Sequence, residues 1–369
     1  MGRRVQASWD SSDVKLALTA LACLTFALAI AAADSAHAKR PFAPPSDKIW
    51  HGVSDTGHVR DFRRFNRQVR EHTALNEVFF HWGVPLTTGA LDRWEKTDSR
   101  GVVALSTAPG GGQEVVTPRA ISRGKSDLYP LRLRQSINVS RQVVYLRPFG
   151  EMNLHLNPYS AFNADGSPRA GHSTHAFKLA WKRMALIVRG GKRNRINNKL
   201  KDLGMPRIYR AKRNDSPIYD RLDVPKRLPS PKVAFMWTPL TRGSPNVPGN
   251  GPNDYFPGRK YVDWVGTDVY AKFSNSTLWN NLNRFFNHKR GYPFILGEYG
   301  AWDNDFDGNF TRRIHKWARK RSRVRALVYF RSVDPDNAFN LQHYPGARKA
   351  LRSILDLGRY ASYAPNTKD

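Results

Sequence analysis

From Ile49 to about residue 357 the chain alternates between two periodicities. Short runs of apolar, β-branched and aromatic residues at 49–54, 77–84, 101–107, 142–149, 232–238, 262–269, 293–298 and 324–331 read as eight strands. Between them, apolar residues recur at helical spacing. Phe62, Phe65 and Val69 form a stripe within 61–72, and Phe177, Trp181, Met184 and Val188 form one within 172–189. Leu278, Leu282 and Phe285 do the same within 277–288, Phe310, Ile314 and Trp317 within 306–320, and Ala347, Leu351 and Ile354 within 346–357. Such stripes face a core and carry no chemistry. Strand alternating with helix implies parallel pairing through right-handed crossovers. Eight such units in about 310 residues fit a single-domain (β/α)8 TIM barrel of the α/β class. The pattern is weakest between Leu86 and Ser140, where helices are short and polar. Residues 190–231 read as one long irregular segment before the fifth strand, on the face of the barrel away from its chemistry.

The ends of the chain read differently. Arg3, Arg4 and Lys15 precede the apolar run 16–33, and SAHA at 35–38 offers small residues for cleavage. Residues 1–38 are therefore expected to be a secretory signal peptide, with an uncleaved anchor as the alternative. The expected location is extracellular, with no membrane contact after cleavage. Residues 39–48 are expected to be a flexible leader, 49–360 the barrel domain, and 361–369 a flexible tail. The only cysteine, Cys23, lies inside the apolar run, so the barrel itself has no thiol for a disulfide or a metal.

Charge adds a second feature. Of 369 residues, 60 are Lys or Arg and 30 are Asp or Glu, a formal net charge of +30. The first 38 residues hold three of each sign, so the excess belongs to the rest of the chain. A field of this sign attracts polyanions, and electrostatic contact with anionic cell-wall polymers is an expectation. The charge is scattered, however, and dense only at 192–201 and 316–323. The interleaved aromatic and basic strand pattern of single-strand nucleic-acid binders is missing, so no specific nucleic-acid partner is expected. His51, His58, His72 and His81 are dispersed, and no metal or other cofactor is expected. DNDFDG at 303–308 lacks the distal glutamate of a calcium loop and reads as a capped helix start. The chain is expected to be a monomer.

Against this basic background two carboxylates stand out. Glu151 in RPFGEMN (147–153) closes the fourth strand, and Glu298 in PFILGEYG (293–300) closes the seventh. In a barrel, strand C-termini carry the chemistry, so both project over one mouth from strands expected to face each other across the ring. A pair of carboxyl groups flanking one bond is the equipment for glycoside hydrolysis. Arg147, four residues before Glu151, is expected on the same side of the strand, where it can orient a carboxylate. Asn153 can reach a sugar hydroxyl. Asp268 and Tyr270 share a face of the sixth strand, and Tyr270 can hydrogen-bond the nucleophile. Trp82, His81, Trp237 and Trp302 fall near strand ends, where aromatic faces stack on sugar rings. Phe80 and Phe330 read as ordinary core.

RPFGEMN, WTPL followed by YFPGRKYVDWVGTDVY, and FILGEYG together resemble glycoside hydrolase family 26, whose best-known members are endo-β-1,4-mannanases. The resemblance spans about 49–357. It implies a retaining (β/α)8 glycosidase with Glu151 as acid/base, Glu298 as nucleophile, Tyr270 supporting the nucleophile and Trp237 lining the sugar subsites. The chain departs from the family at Gly150, where histidine is usual, and at 154–162, where His155 or Tyr159 takes the place of platform aromatics. At the eighth strand it has Phe330 and Arg331 instead of tryptophan, and Arg331 at the rim would accept an acidic or substituted glycan. Two other classes stay open: a non-catalytic glycan-binding protein on the same barrel, and a basic wall- or nucleic-acid-associated protein.

Overall fold

The structure, a computed structural model, describes residues 42–110, 112–208 and 224–364. The expected signal peptide, residues 1–38, and Cys23 lie outside these residues. Eight strands form a closed, all-parallel barrel: β1 (Ile49–Ser54), β2 (Leu75–His81), β3 (Arg100–Ser106), β4 (Val144–Pro148), β5 (Val233–Trp237), β6 (Trp264–Tyr270), β7 (Phe294–Gly300) and β8 (Val324–Phe330). The ring closes where β1 pairs with β8, from Trp50 beside Ala326 to Ser54 beside Phe330. Closure removes every free strand edge, and each strand's alternation splits its side chains between two cores.

The outer core lies between strands and helices. It takes Val144 and Leu146 of β4, Phe235 and Trp237 of β5, and the stripes of the surrounding helices. These are α1 (Val59–Val69), α2 (Thr88–Glu95), α3 (Pro118–Ser122), α4 (Leu128–Ser140), α5 (Thr174–Arg189), α6 (Arg193–Asp202), α7 (Ser276–His288), α8 (Asn309–Arg319) and α9 (Pro345–Leu355). The inner core fills the lower barrel with Trp50, Tyr145, Ala234, Met236, Trp264 and Ile295. Above it sits a charged layer.

Several expectations change. The polar stretch 86–140 contains three helices, because Thr87 and Thr117 each accept the backbone N–H that opens α2 and α3, and tertiary packing of Leu91, Trp94, Leu131 and Ile137 does the rest. The segment before β5 holds α6 and a two-residue antiparallel ladder, Gly191–Lys192 with Arg227–Leu228. The fifth unit has, among the described residues, only 3-10 turns at Pro252–Tyr255 and Arg259–Tyr261 where a helix would stand. The expected flexible leader is docked from residue 42 on. Arg325 donates to the carbonyls of Pro44, Pro45 and Ser46, and Arg100 and Tyr145 donate to that of Phe42. The expected tail is likewise anchored as far as it is described. Tyr360–Ala361 pairs with β1, and Tyr363 stacks on His72 at 4.3 Å. In both cases the partners lie far away in the sequence, where composition does not reveal them. Asp305 caps α8 by accepting from the backbone of Phe310 (2.7 Å) and Thr311 (3.1 Å).

Candidate active site

The charged layer is organised by one side chain. Arg147, on the inner face of β4 above Tyr145, is 2% exposed. Its guanidinium donates to Glu77 (3.1 Å), Glu298 (2.5 Å), Asp268 and the Thr238 hydroxyl (2.9 Å). Three strands thus supply carboxylates to one cation: β2, β6 and β7. Asp268 also accepts the backbone N–H of Glu298 (2.8 Å), and the Tyr270 hydroxyl donates to the other carboxylate oxygen of Glu298. Every oxygen of Glu298 therefore has a fixed donor.

Plain alternation would not put Glu298 there. Ile295 and Gly297 face the barrel interior, so residue 298 would face outward. The register shows how this is avoided. Thr267 to Val269 spans two residues of β6 while Leu296 to Tyr299 spans three of β7, and β8 shows the same slip from Leu327 to Tyr329. One extra residue at Gly297–Glu298 makes a β-bulge, a device that re-aims a side chain. Gly297 is part of the device: a Cβ there would stand 2.7 Å from Asp268 Oδ1 and 2.9 Å from Arg147 Nε. Gly297→Ala is therefore expected to cost about 1–3 kcal/mol of stability by overpacking. Turnover should fall further than the folded fraction does, a difference that melting curves and active-site-normalised rates resolve.

Glu151 arrives by another route. β4 ends at Pro148, and Phe149 and Glu151 adopt left-handed backbone (φ 54° and 50°) on either side of Gly150. The strand's alternation has stopped, so the expected shared side with Arg147 does not apply. Non-glycine residues in this region are strained and need support. The support is present. Phe149 donates to the Leu105 carbonyl (2.7 Å) and Glu151 to that of Thr238 (2.8 Å). Tyr159 donates to the Gly150 carbonyl (2.6 Å) and Asn157 to that of Glu151 (2.9 Å). Gly150 is explained by space: a Cβ would lie 3.0–3.3 Å from the Arg147 guanidinium.

Glu151 and Glu298 line one cavity of about 80 Å³, together with Phe79, Ser106, Arg147 and Tyr159. Their strands stand three places apart around the ring rather than opposite, yet an eight-stranded barrel is narrow enough for side chains from such strands to meet. Burial first, and the charge of Glu298 second, push the Glu151 carboxyl up to about 7. Burial also pushes Glu77 up to about 7 and Asp268 well above the usual carboxylate range, against the pull of Arg147. One guanidinium among four carboxyl groups leaves protons held within the cluster at neutral pH.

Other expected site residues lie elsewhere. Trp237 is on the outer face of β5, fully buried between Phe256 (5.0 Å) and Phe285 (5.9 Å). It cannot line a sugar subsite; Thr238, one residue on, is the inward group. Trp82 is also core, against Tyr129 (4.6 Å) and Phe149 (6.2 Å). Asn153 is fully buried and clamps Leu240 through both ends of its amide, so it is not free for a hydroxyl. Arg331 is locked on Asp55, Gln68 and the Asp61 carbonyl, and does not project from the rim. His81 is half-buried with Nδ1 3.2 Å from its neighbour's carbonyl. His155 is half-buried on the Ser244 carbonyl. Trp302 does stand at the mouth, 5.5 Å edge-on from Tyr270.

Three site residues went unnoticed in the sequence. Glu77 hid at the assigned edge of its strand, although a carboxylate amid LNEVFF is itself a signal. Phe79, 50% exposed, lines the cavity, and Phe330 touches it at 6.0 Å instead of joining the core. Phe339, from the loop after β8, joins Phe330 (4.8 Å), Tyr270 (5.5 Å) and Trp302 (4.8 Å) into an aromatic wall. Nothing local marks it. Among the described residues no group of His, Cys, Asp or Glu is placed to hold a metal, and no helix is long and apolar enough to cross a membrane.

No protein-family profile and no curated protein sequence matches the chain. Solved structures do. An endo-β-1,4-mannanase double mutant from Cellulomonas fimi superposes with a TM-score of 0.55 at 11% identity, over 86% of this chain and 72% of that one. A GH26 β-mannanase from Bacteroides ovatus gives 0.51 at 14% identity, over 87% and 92%. The GH26 domain of an endo-β-mannanase/endo-β-glucanase from Prevotella bryantii gives 0.50 at 10%, over 85% and 90%. At these identities the likeness is one of fold.

Proposed function

We propose that this chain is a secreted glycoside hydrolase of the family 26 type, cleaving a β-linked polysaccharide of the mannan kind with retention. The observation that carries this reading is the meeting of Glu151 and Glu298 in one cavity with opposite surroundings. Glu298 accepts from Arg147 on one carboxylate oxygen and from Tyr270 on the other, which fixes its orientation. Glu151 is pushed up to about 7 and so keeps a proton to give. In the first step the Glu298 carboxylate attacks the anomeric carbon while Glu151 protonates the departing glycosidic oxygen. In the second, Glu151 takes a proton from water, which displaces Glu298 from the sugar. Retention requires the two carboxyl groups about 5–5.5 Å apart. The aromatic wall of Trp302, Phe339, Phe330 and Phe79 offers C–H stacking surfaces to sugar rings. The mannan assignment draws support from the names of the solved structures that share the fold and from the RPFGEMN, YVDWVGTDVY and FILGEYG motifs. Residues 1–38 are removed on export under this reading.

The test is a panel of mannan, mixed-linkage glucan and xylan, read by product chromatography with Glu298→Ala as control. Soluble product from one polymer, missing in the control, is the expected result. Binding without product would instead fit the non-catalytic alternative. A second expectation concerns pH. The acid must be protonated to act, so kcat/KM should fall as pH rises through about 7. Glu151→Gln should remove that limb and lower turnover by about 10²–10⁴-fold. A limb that persists unchanged in the variant would assign it to another group.

A further inference from the structure

A groove of about 570 Å³ lies on the opposite face of the barrel, where α5 ends, the Gly191–Lys192 ladder and α6 follow, and the chain enters β6 through Lys260 and Tyr261. Among the described residues its walls carry Lys192, Arg195, Lys199, Arg227 and Lys260, all exposed, and Arg189, which pairs with Asp263, against one acid, Asp202. Among the described residues none of the five exposed cations makes an ion pair. Their arrangement is unfavourable in itself. Lys192 stands directly opposite Arg227 in the antiparallel ladder, where like charges destabilise pairing. Arg195 and Lys199 are four apart on α6, a repulsive spacing for like charges. The first turn of α6 holds Arg193 and Arg195 and no acidic residue, the wrong sign for its dipole. An anion in the groove relieves all three repulsions together.

We infer that this groove is a docking site for an acidic polysaccharide, a uronate-bearing chain. The groove pairs its cations with one aromatic face, Tyr261, and an apolar floor that includes Leu186 and Leu203. A uronate ring presents a C–H face to the former and a carboxylate to the latter's charged rim. Nucleic acid would use a series of aromatics to stack bases, and the groove has a single ring. A membrane surface would need exposed apolar side chains, and the exposed ones (Phe79, Phe273 and Phe306 among them) lie elsewhere. The groove faces away from the cavity of Glu151 and Glu298, so docking leaves that mouth open to a second, neutral chain.

The experiment is affinity electrophoresis of the full chain in gels containing polygalacturonate, which reads binding without any turnover. Lys192→Ser/Arg195→Ser/Lys199→Ser should weaken retardation at least about tenfold, with the remaining binding less sensitive to salt. A control with the same charge removed from exposed Lys316, Lys320 and Lys349 should stay within about twofold. Surface changes of this kind rarely move stability appreciably. If the triple variant nonetheless melts early, the three single variants in the same gel carry the comparison. Equal losses in both triples would show diffuse charge and overturn the site. Failure of the wild type to be retarded, or tighter binding of duplex DNA or phosphatidylglycerol vesicles at matched charge, would overturn the ligand class.

Discussion

Under the proposed mechanism, Glu298→Gln should leave a folded barrel whose hydrolysis falls by at least about 10³-fold. The replacement keeps shape and an oxygen for the Arg147 donor, its NH2 group faces the Tyr270 hydroxyl, which can turn to accept, and Arg147 retains Glu77 and Asp268 as counter-charges. What the proposed mechanism loses is the nucleophile that bonds the anomeric carbon. A second consequence separates this reading from a structural one. The charge of Glu298 is the second cause of the raised Glu151 carboxyl, after burial. Its neutralisation should lower the Glu151 titration from about 7 while leaving it above the ordinary value, since burial persists. A carboxyl-carbon NMR titration of wild type and variant reads that shift directly. Circular dichroism and a melting curve confirm the fold. Turnover within about tenfold of wild type would remove Glu298 from the role of nucleophile. The combined Glu151→Gln/Glu298→Gln change should cost little more than the worse single one if, as proposed, the two groups act as one unit.

The fold was legible because two periods alternate cleanly: seven of the eight strands fall within two residues of their expected bounds, and β2, expected at 77–84, ends three residues early at His81. The helices at 88–95, 118–122 and 128–140 were not, because caps and tertiary packing rather than a strong apolar stripe define them. In the site, the approximate position of both glutamates could be read, but not how they get there. One depends on a β-bulge and the other on a left-handed turn, and neither follows from alternation. The aromatics failed for a related reason. Counting inward from Ala234 and Met236 makes Thr238 the inner residue and sends Trp237 outward, yet a tryptophan near a strand end invites a sugar-stacking role whichever way it points. Arg331 reads as a free rim charge only until Asp55 and Gln68, far away in sequence, close around it. Long-range pairing of this sort is the part of a site that single-residue chemistry conceals.

Arg147→Met should be the most damaging single change to the fold. The wild-type guanidinium satisfies Glu77, Asp268 and Glu298 at once in a place with almost no access to water. Methionine fills the stem's volume and offers the carboxylates nothing. Breaking a buried pair from one side typically costs about 3–5 kcal/mol, and here three acids lose their partner. A drop in Tm on the order of 10 °C follows for a domain of this size. The pH dependence gives the sign its own test. Arg147 lowers the Glu77, Asp268 and Glu151 titrations, so its removal raises their folded-state values further above the unfolded ones. Groups raised in this way bind more protons folded than unfolded. Their stability is complete below the unfolded carboxyl range and is lost as pH rises through the folded values. The variant should therefore lie closest to wild type near pH 4–5 and fall away towards pH 8, as protons are stripped from carboxyls with nothing left to face. Arg147→Lys, with a charge but no planar fork, should fall between the two. A deficit that shrinks as pH rises, or a variant as stable as wild type at pH 8, would mean that the cluster does not depend on this cation.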